Sequence, residues 1–381
     1  MRILYVVNDS WFFKSHRLPL ANAAIKAGHE AHLAAVIDHT TSDIQSEGVN
    51  VHAWSLSPRS LNPISELKSF FSLLSTIRKT EPDLLHLVTI KSVLYGGIIA
   101  RWLGVPSVVF AISGKGYIFS SQDKKQMILK KLAHKLYGYV LSHKNSVIVV
   151  QNMNDHDFFI ENNLASKESI ILIPGSGVDL DLFQNYKQTT NTKLPTVLFA
   201  SRMLLDKGVK EFVNAAKQVN KDGVVADFTL AGQVDTENPR SISRQWLEAL
   251  PKEMGINWVG QQEAMHKLIA ESAFVVLPTT YGEGVPKILI EAAASGRAII
   301  TTNWPGCTDV VTHEYNGLLV EPKDTNGLAW SIKRLLDDPA RCEQYGTNGR
   351  KLAEKKFSIQ QVVATTMKIY HNLYSNVARD K

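Results

Sequence analysis

Arg202 and Lys207 stand five residues apart, between the apolar run PTVLFAS and a helical pattern that opens at Gly208. A strand there carries Arg202 to its carboxyl end, and two cations beside a helix N-terminus suit a diphosphate. Two ordinary surface bases are the plain alternative. Glu283 lies in a Gly-rich loop after the run FVVLP, Pro286 sits where a helix can begin, and Glu291 stands eight residues after Glu283. A continuous helix would separate those carboxylates by roughly 12 Å along its axis. Carboxylates that share one glycosidic bond stand about 5–9.5 Å apart, so this pair suits gripping two parts of one elongated ligand. Here the plain alternative is a helix-opening Glu and a surface Glu. A third segment carries Gly175 and Gly177, which permit a tight turn, and Asp179, which can cap the next turn of chain.

These residues need elements to hold them. From Met1 onward, nearly all-apolar runs (RILYVV, LLHLV, VPSVVFAI, SVIVV, SIILI) alternate with helical stretches. Such runs mark strands of a parallel sheet covered on both faces. A polar stretch, 185–195, reads as a linker, after which the pattern restarts with PTVLFAS, ADFTLAG, INWVG, FVVLP and RAIITT. The expected architecture is α/β, with two doubly wound domains. The first covers 1–185 and the second 186–360, with an amphipathic helix over 361–381 packing back toward the first. Ligands of such sheets bind at the carboxyl ends of the strands, so two facing sheets would make a cleft.

Ser201-Arg202 through Lys207-Gly208, the Glu283–Glu291 pair and Gly177-Val178-Asp179, in this order and spacing, resemble glycosyltransferase family four. The resemblance covers essentially the whole chain. It implies the GT-B fold, two Rossmann-like domains facing a cleft, and retaining sugar transfer from a nucleotide diphosphate donor. By position, Arg202 and Lys207 would hold the donor diphosphate and steady charge on the leaving group. Glu283 would contact the donor sugar beside the amides of Gly284 and Val285, and Glu291 the ribose. Catalysis would then rest on Glu283, Arg202 and Lys207. With two cations doing the electrophilic work, no metal or other cofactor is required, and Asp179-Leu180-Asp181 falls in the family's loop motif. The segments FFKSHRLPLA and ISGKGYIF are most similar to bacterial enzymes that extend lipid-linked glycans, including N-acetylgalactosaminyltransferases acting on undecaprenyl diphosphate sugars. That implies a UDP-sugar, best an N-acetylhexosamine such as GalNAc or GlcNAc, and a polyprenyl-diphosphate-linked acceptor.

One departure concerns the histidine that many members carry near the donor sugar. This chain reads Phe110-Ala111-Ile112-Ser113-Gly114-Lys115-Gly116 there. Acceptor-side expectations fall instead on His16, in the loop after the first strand, and on Arg17, Lys91, Ser113 and Lys115. His86, inside an apolar run, reads as a satisfied core histidine.

The bulk numbers agree with a two-domain enzyme: 381 residues, 44% hydrophobic and 20% charged. Two cysteines, Cys307 and Cys342, make neither a disulfide framework nor a zinc set. No apolar run reaches the ~18 residues of a membrane span, and the opening run is too short for a signal peptide. The expected location is cytoplasmic, peripheral on the inner face of the cell membrane. Between Arg59 and Lys144 stand thirteen Lys/Arg against four Asp/Glu. Residues 123–144 read as a basic amphipathic helix able to lie on anionic lipid; the plain alternative packs its apolar stripe on the first domain and shows the lysines to water. A nucleic-acid binder lacks any recognised motif. The remaining rival is a nucleotide-sugar 2-epimerase of the same architecture.

Overall fold

The computed structural model describes residues 1–56, 62–114, 126–184 and 194–379, with backbone alone for 126–133 and 378–379. The chain divides into two compact units, Met1–Ser176 with Gln360–Lys381, and Gly177–Ile359. Most of the 185–195 stretch, and Lys115, Lys124 and Lys125, lie outside the described residues.

The first unit is built on seven parallel strands: β1 Arg2–Asp9, β2 Glu30–Val36, β3 Asn50–Ala53, β4 Leu84–Val88, β5 Ser107–Ile112, β6 Ser146–Val150 and β7 Ile170–Leu172. Their order is β3-β2-β1-β4-β5-β6-β7. Chain direction across the sheet reverses between β1 and β4, which is the topological switch point of a Rossmann-like unit. Every residue of β4 and β5 is buried, and alternate side chains feed two cores. Leu85, Leu87, Phe110 and Ile148 join one. Leu84, Val88, Val109 and Ala111 join the other, with Val362, Ile369, Tyr370 and Leu373 from the helix Ile359–Arg379. Each fully buried aliphatic side chain of this kind contributes roughly 1.5–3 kcal/mol. The C-terminal helix is also tied by hydrogen bonds, since the Asn145 side chain donates to the Leu373 carbonyl at 2.9 Å. Tyr374, one residue further along the same helix, is exposed.

The second unit repeats the plan with β8 Thr196–Ala200, β9 Asp227–Ala231, β10 Ile256–Trp258, β11 Phe274–Leu277, β12 Ala298–Thr302 and β13 Gly317–Val320. Their order is β10-β9-β8-β11-β12-β13, so the switch point lies between β8 and β11. The helix Val209–Lys221 buries Val209, Phe212, Val213, Ala216 and Val219 on one face, the i, i+3, i+4 pattern expected of an amphipathic helix.

Outside the sequence-based assignment stand, among others, β3 and the helices Pro63–Thr80, Met153–Glu161, Met265–Glu271 and Pro339–Lys356. The first of these helices carries a readable start. Asn62 accepts the Ile64 amide at 3.0 Å, with Pro63 at the first helical position. His16 is a correction. It is not in a loop but ends a short helix, Ser10–His16, which starts one residue after β1 because Asp9 caps it.

Candidate functional site

β8 ends at Ala200, and its continuation is pinned before it turns. The Ser201 amide donates to the Ala231 carbonyl at 3.0 Å, and the Met203 amide to the Gln233 carbonyl at 3.0 Å. A single 3-10 turn, Leu205–Lys207, then leads through Gly208 at φ 82° into the helix Val209–Lys221. This places Lys207 immediately before a helix N-terminus, where backbone amides favour anions.

The neighbouring strand β11 ends at Leu277, and the loop after it meets the first loop at backbone level. The Asp206 carbonyl accepts the Thr280 amide at 2.8 Å and the Thr279 hydroxyl at 3.1 Å. A Cβ on Gly208 would lie 2.3 Å from the Pro278 carbonyl oxygen. Only glycine allows that approach, and φ there lies in the left-handed region glycine favours. The loop also closes against β12. Thr301 donates to the Leu277 carbonyl at 2.7 Å, and Thr302 donates to the Thr279 carbonyl. A Cβ on Gly306 would fall 1.9 Å from the Gly284 carbonyl oxygen, so Gly284 and Gly306 pack backbone to backbone.

The outcome is an ion pair at the switch point. Lys207 Nζ binds Glu283 Oε1, with the lysine nearly sealed from solvent and the carboxylate about a quarter exposed. Arg202 pairs with Asp235 at 3.1 Å. The Tyr281 ring faces both cations, 4.8 Å from Lys207 Nζ and 5.7 Å from the Arg202 guanidinium carbon. Helix Lys287–Ala294 begins after Pro286, so Glu283 precedes it and Glu291 lies in its second turn. The continuous helix that would set the two carboxylates apart along one axis is therefore replaced by a loop and a helix. Glu291 is buried beside Lys287 Nζ at 3.5 Å, and burial pushes its carboxyl pKa up against the lowering pull of that lysine. Asp179 accepts the amides of Asp181 and Leu182, at 2.9 and 3.1 Å, and so caps a turn.

Chemically, this site presents two cations and a helix start to an anion, and two carboxylates to hydroxyl groups. Among the described residues, no cluster of three or more His, Cys, Asp or Glu could hold a metal ion. Sequence reasoning missed Tyr281 and Asp235. Tyr281 stands inside the Pro278–Glu283 loop and was within reach of inspection. Asp235 comes after β9, and its pairing depends on strand order, which spacing along the chain does not reveal.

In the first unit, the expected acceptor-side residues stand after β1, β4 and β5. His16 stacks on Phe12 at 4.2 Å and bonds the Phe12 carbonyl through Nδ1 at 3.2 Å. Lys91, in the first turn of the helix Ile90–Leu103, pairs with Glu66 at 2.7 Å, and Tyr95 donates to the same carboxylate. Ser113 is half-buried just beyond β5. Arg17 is buried, and burial lowers its pKa to about 10, which leaves it charged at neutral pH. His86 is buried in β4 and bonds Tyr370 through Nδ1 at 2.7 Å, while Nε2 has no partner among the described residues. It is a core histidine, but only half satisfied. Burial, aided by the Arg17 charge, holds its pKa well below the usual histidine value.

Two family descriptions match the chain. Glycosyl transferase 4-like covers residues 2–152, and Glycosyl transferases group 1 covers 183–352. A relative in Campylobacter jejuni, N,N'-diacetylbacillosaminyl-diphospho-undecaprenol alpha-1,3-N-acetylgalactosaminyltransferase, is 27% identical over 99% of this chain and 100% of its own. Another in Escherichia coli, UDP-Gal:alpha-D-GlcNAc-diphosphoundecaprenol alpha-1,3-galactosyltransferase, is 25% identical over 80% of this chain and 81% of its own. Among solved structures, a glycosyltransferase of Rickettsia africae superposes with TM-score 0.79 at 18% identity, covering 98% of this chain and 99% of that one. Anabaena HepE in complex with UDP and glucose gives 0.78 at 16% identity, covering 97% and 99%.

Proposed function

The chain belongs to glycosyltransferase family four, with the GT-B fold, and on that premise we propose that it moves an N-acetylhexosamine from a UDP-sugar to a polyprenyl-diphosphate-linked saccharide. The observation that carries the donor half is the Lys207–Glu283 pair at the β8/β11 switch point. In this reading Lys207 and Arg202 take the donor diphosphate, with the N-terminus of the helix Val209–Lys221 behind them. Glu283, released from Lys207 by the incoming phosphate, accepts hydrogen bonds from the donor sugar beside the Gly284 and Val285 amides. Glu291 takes the ribose hydroxyls.

As the bond to the leaving group breaks, negative charge builds on the phosphate, where preorganised cations are worth on the order of 3 kcal/mol each. Those cations supply the electrophilic help, so the reaction proceeds without a metal. Attack comes from the same face as the departing phosphate, whose oxygen receives the acceptor proton, and configuration is retained. The named substrates of the Campylobacter and Escherichia relatives support the acceptor class and the UDP donor. Titration with UDP tests the donor site. Lys207→Ala is expected to weaken UDP binding by about tenfold or more while leaving the fold intact. Unaltered affinity would remove Lys207 from the site.

A lipid-linked acceptor calls for work at the cytoplasmic face of a membrane. Of the basic stretch 123–144, the helix Gln126–Leu141 is described; Tyr137 and Val140 are buried in the core of the first unit and Lys135 is exposed, so this helix offers a membrane its bases and not its apolar stripe. A neighbouring feature supports the same reading. Ile64, Leu67 and Phe71 form an outward apolar stripe on the helix Pro63–Thr80, with Ile64 78% exposed. Trp102, 62% exposed, continues it through an edge contact with Phe70 at 5.5 Å. Arg101 lies over the ring of exposed Tyr139 at 4.5 Å. Lys68, Arg78 and Lys79 are exposed on the first helix. Apolar residues fringed by bases suit an anionic bilayer surface.

A further inference from the structure

Arg17 is 6% exposed, and among the described residues its one side-chain hydrogen bond is to the His16 carbonyl at 3.1 Å and it has no ion pair. Its Nε has no partner. The groups that act on its charge are the phenols Tyr5 and Tyr370, and no carboxylate is among them. A buried cation in neutral surroundings is costly and is normally paired. This one lines a small cavity with Ile112, Gln151, Gly175, Thr366 and His86. Ile112 ends β5, Gln151 comes directly after β6 and Gly175 shortly after β7, so the cavity lies at the carboxyl edge of the sheet, where Rossmann-like units take ligands. His86 adds a second unsatisfied group on the same wall. The Tyr370 hydroxyl lies 2.7 Å from Nδ1, and Nε2, on the other side of the ring, has no partner among the described residues. A buried guanidinium without a counter-charge and an unpartnered imidazole nitrogen therefore line one cavity among the described residues.

We propose that this cavity is a binding site for a phosphate-class oxyanion, held by the Arg17 guanidinium beside His86. Planar guanidinium matches such an anion geometrically, and an anion there supplies the counter-charge that Arg17 lacks. The same chemistry is available from the diphosphate of the acceptor or from a free phosphate. The first source rests on the lipid-linked acceptor proposed above, and the second does not.

The test is calorimetric titration of the full chain with inorganic pyrophosphate at constant ionic strength, with UDP saturating so that the donor site is filled. One saturable pyrophosphate per chain is expected. Arg17→Met should weaken it about tenfold to a hundredfold with UDP affinity unchanged, and Arg17→Lys should restore part of the loss. Thr366→Met, which fills the cavity and leaves Arg17 in place, should block binding even if Arg17→Met does not fold. Absence of saturable binding to the wild type, or equal binding by Arg17→Met or Thr366→Met, overturns the proposal. Because the titration needs no turnover, it can fail while transfer stands, and the reverse. Competition between pyrophosphate and the lipid-linked acceptor, with a raised acceptor KM in Arg17→Met, assigns the site to the acceptor. Binding without competition assigns it to a free oxyanion.

Discussion

Two carboxylates in the second unit sit in different surroundings, and this divides their work. Glu283 is partly open to solvent and held by Lys207, while Glu291 is buried beside Lys287. Burial favours the protonated form of Glu291 and raises its pKa. That group thus stabilises the fold below the ordinary carboxylate range, and the contribution is lost as pH rises through the raised value. In the proposed donor site ligand binding runs the other way, since there the ionised carboxylate would accept from both ribose hydroxyls. UDP affinity is therefore expected to rise with pH across the acid side of neutrality, and Glu291→Gln to flatten that rise. Titrations of the two proteins over the same pH range check it, and parallel curves would take Glu291 out of the ribose contact.

At the scale of elements, the two loops after β8 and β11 act as one part because glycines let their backbones touch. Gly208→Ala forces a side chain into left-handed backbone and against the Pro278 carbonyl. About 1–3 kcal/mol of strain is expected from the backbone alone, read as a lower unfolding temperature, with weaker UDP binding as Lys207 shifts. A variant with wild-type stability and affinity would show that the contact is not needed. The strands that bear these loops were legible in the sequence, because all-apolar runs such as FVVLP can only be buried on both faces. Their loops were legible as glycine-spaced charges. The contacts between loops were not, because Asp206 meets Thr280, and Arg202 meets Asp235, only through strand order. Equally hidden was the cluster of Arg17, His86 and Tyr370, whose members lie far apart in the chain. The short helix that ends at His16 was missed because its cap, Asp9, is itself the last residue of a strand.

On the whole-molecule scale, no helix among the described residues is long and apolar enough to cross a membrane. Contact with lipid would then be peripheral, through the Ile64–Leu67–Phe71–Trp102 face and its bases. Flotation with vesicles containing anionic phospholipid should recover the wild type at low salt and lose most of it in an Ile64→Ser, Phe71→Ser, Trp102→Ser triple variant. Equal recovery of both would move the membrane contact elsewhere.

Sugar transfer itself is the most direct test. Labelled UDP-N-acetylhexosamines are incubated with the wild type or Glu283→Gln and bacterial membrane lipid, in EDTA. The account predicts that the wild type carries label from one UDP-sugar into the lipid fraction despite the chelator, and that Glu283→Gln carries essentially none. Label that reaches lipid only when a divalent metal is restored, or equally well with Glu283→Gln, would contradict it.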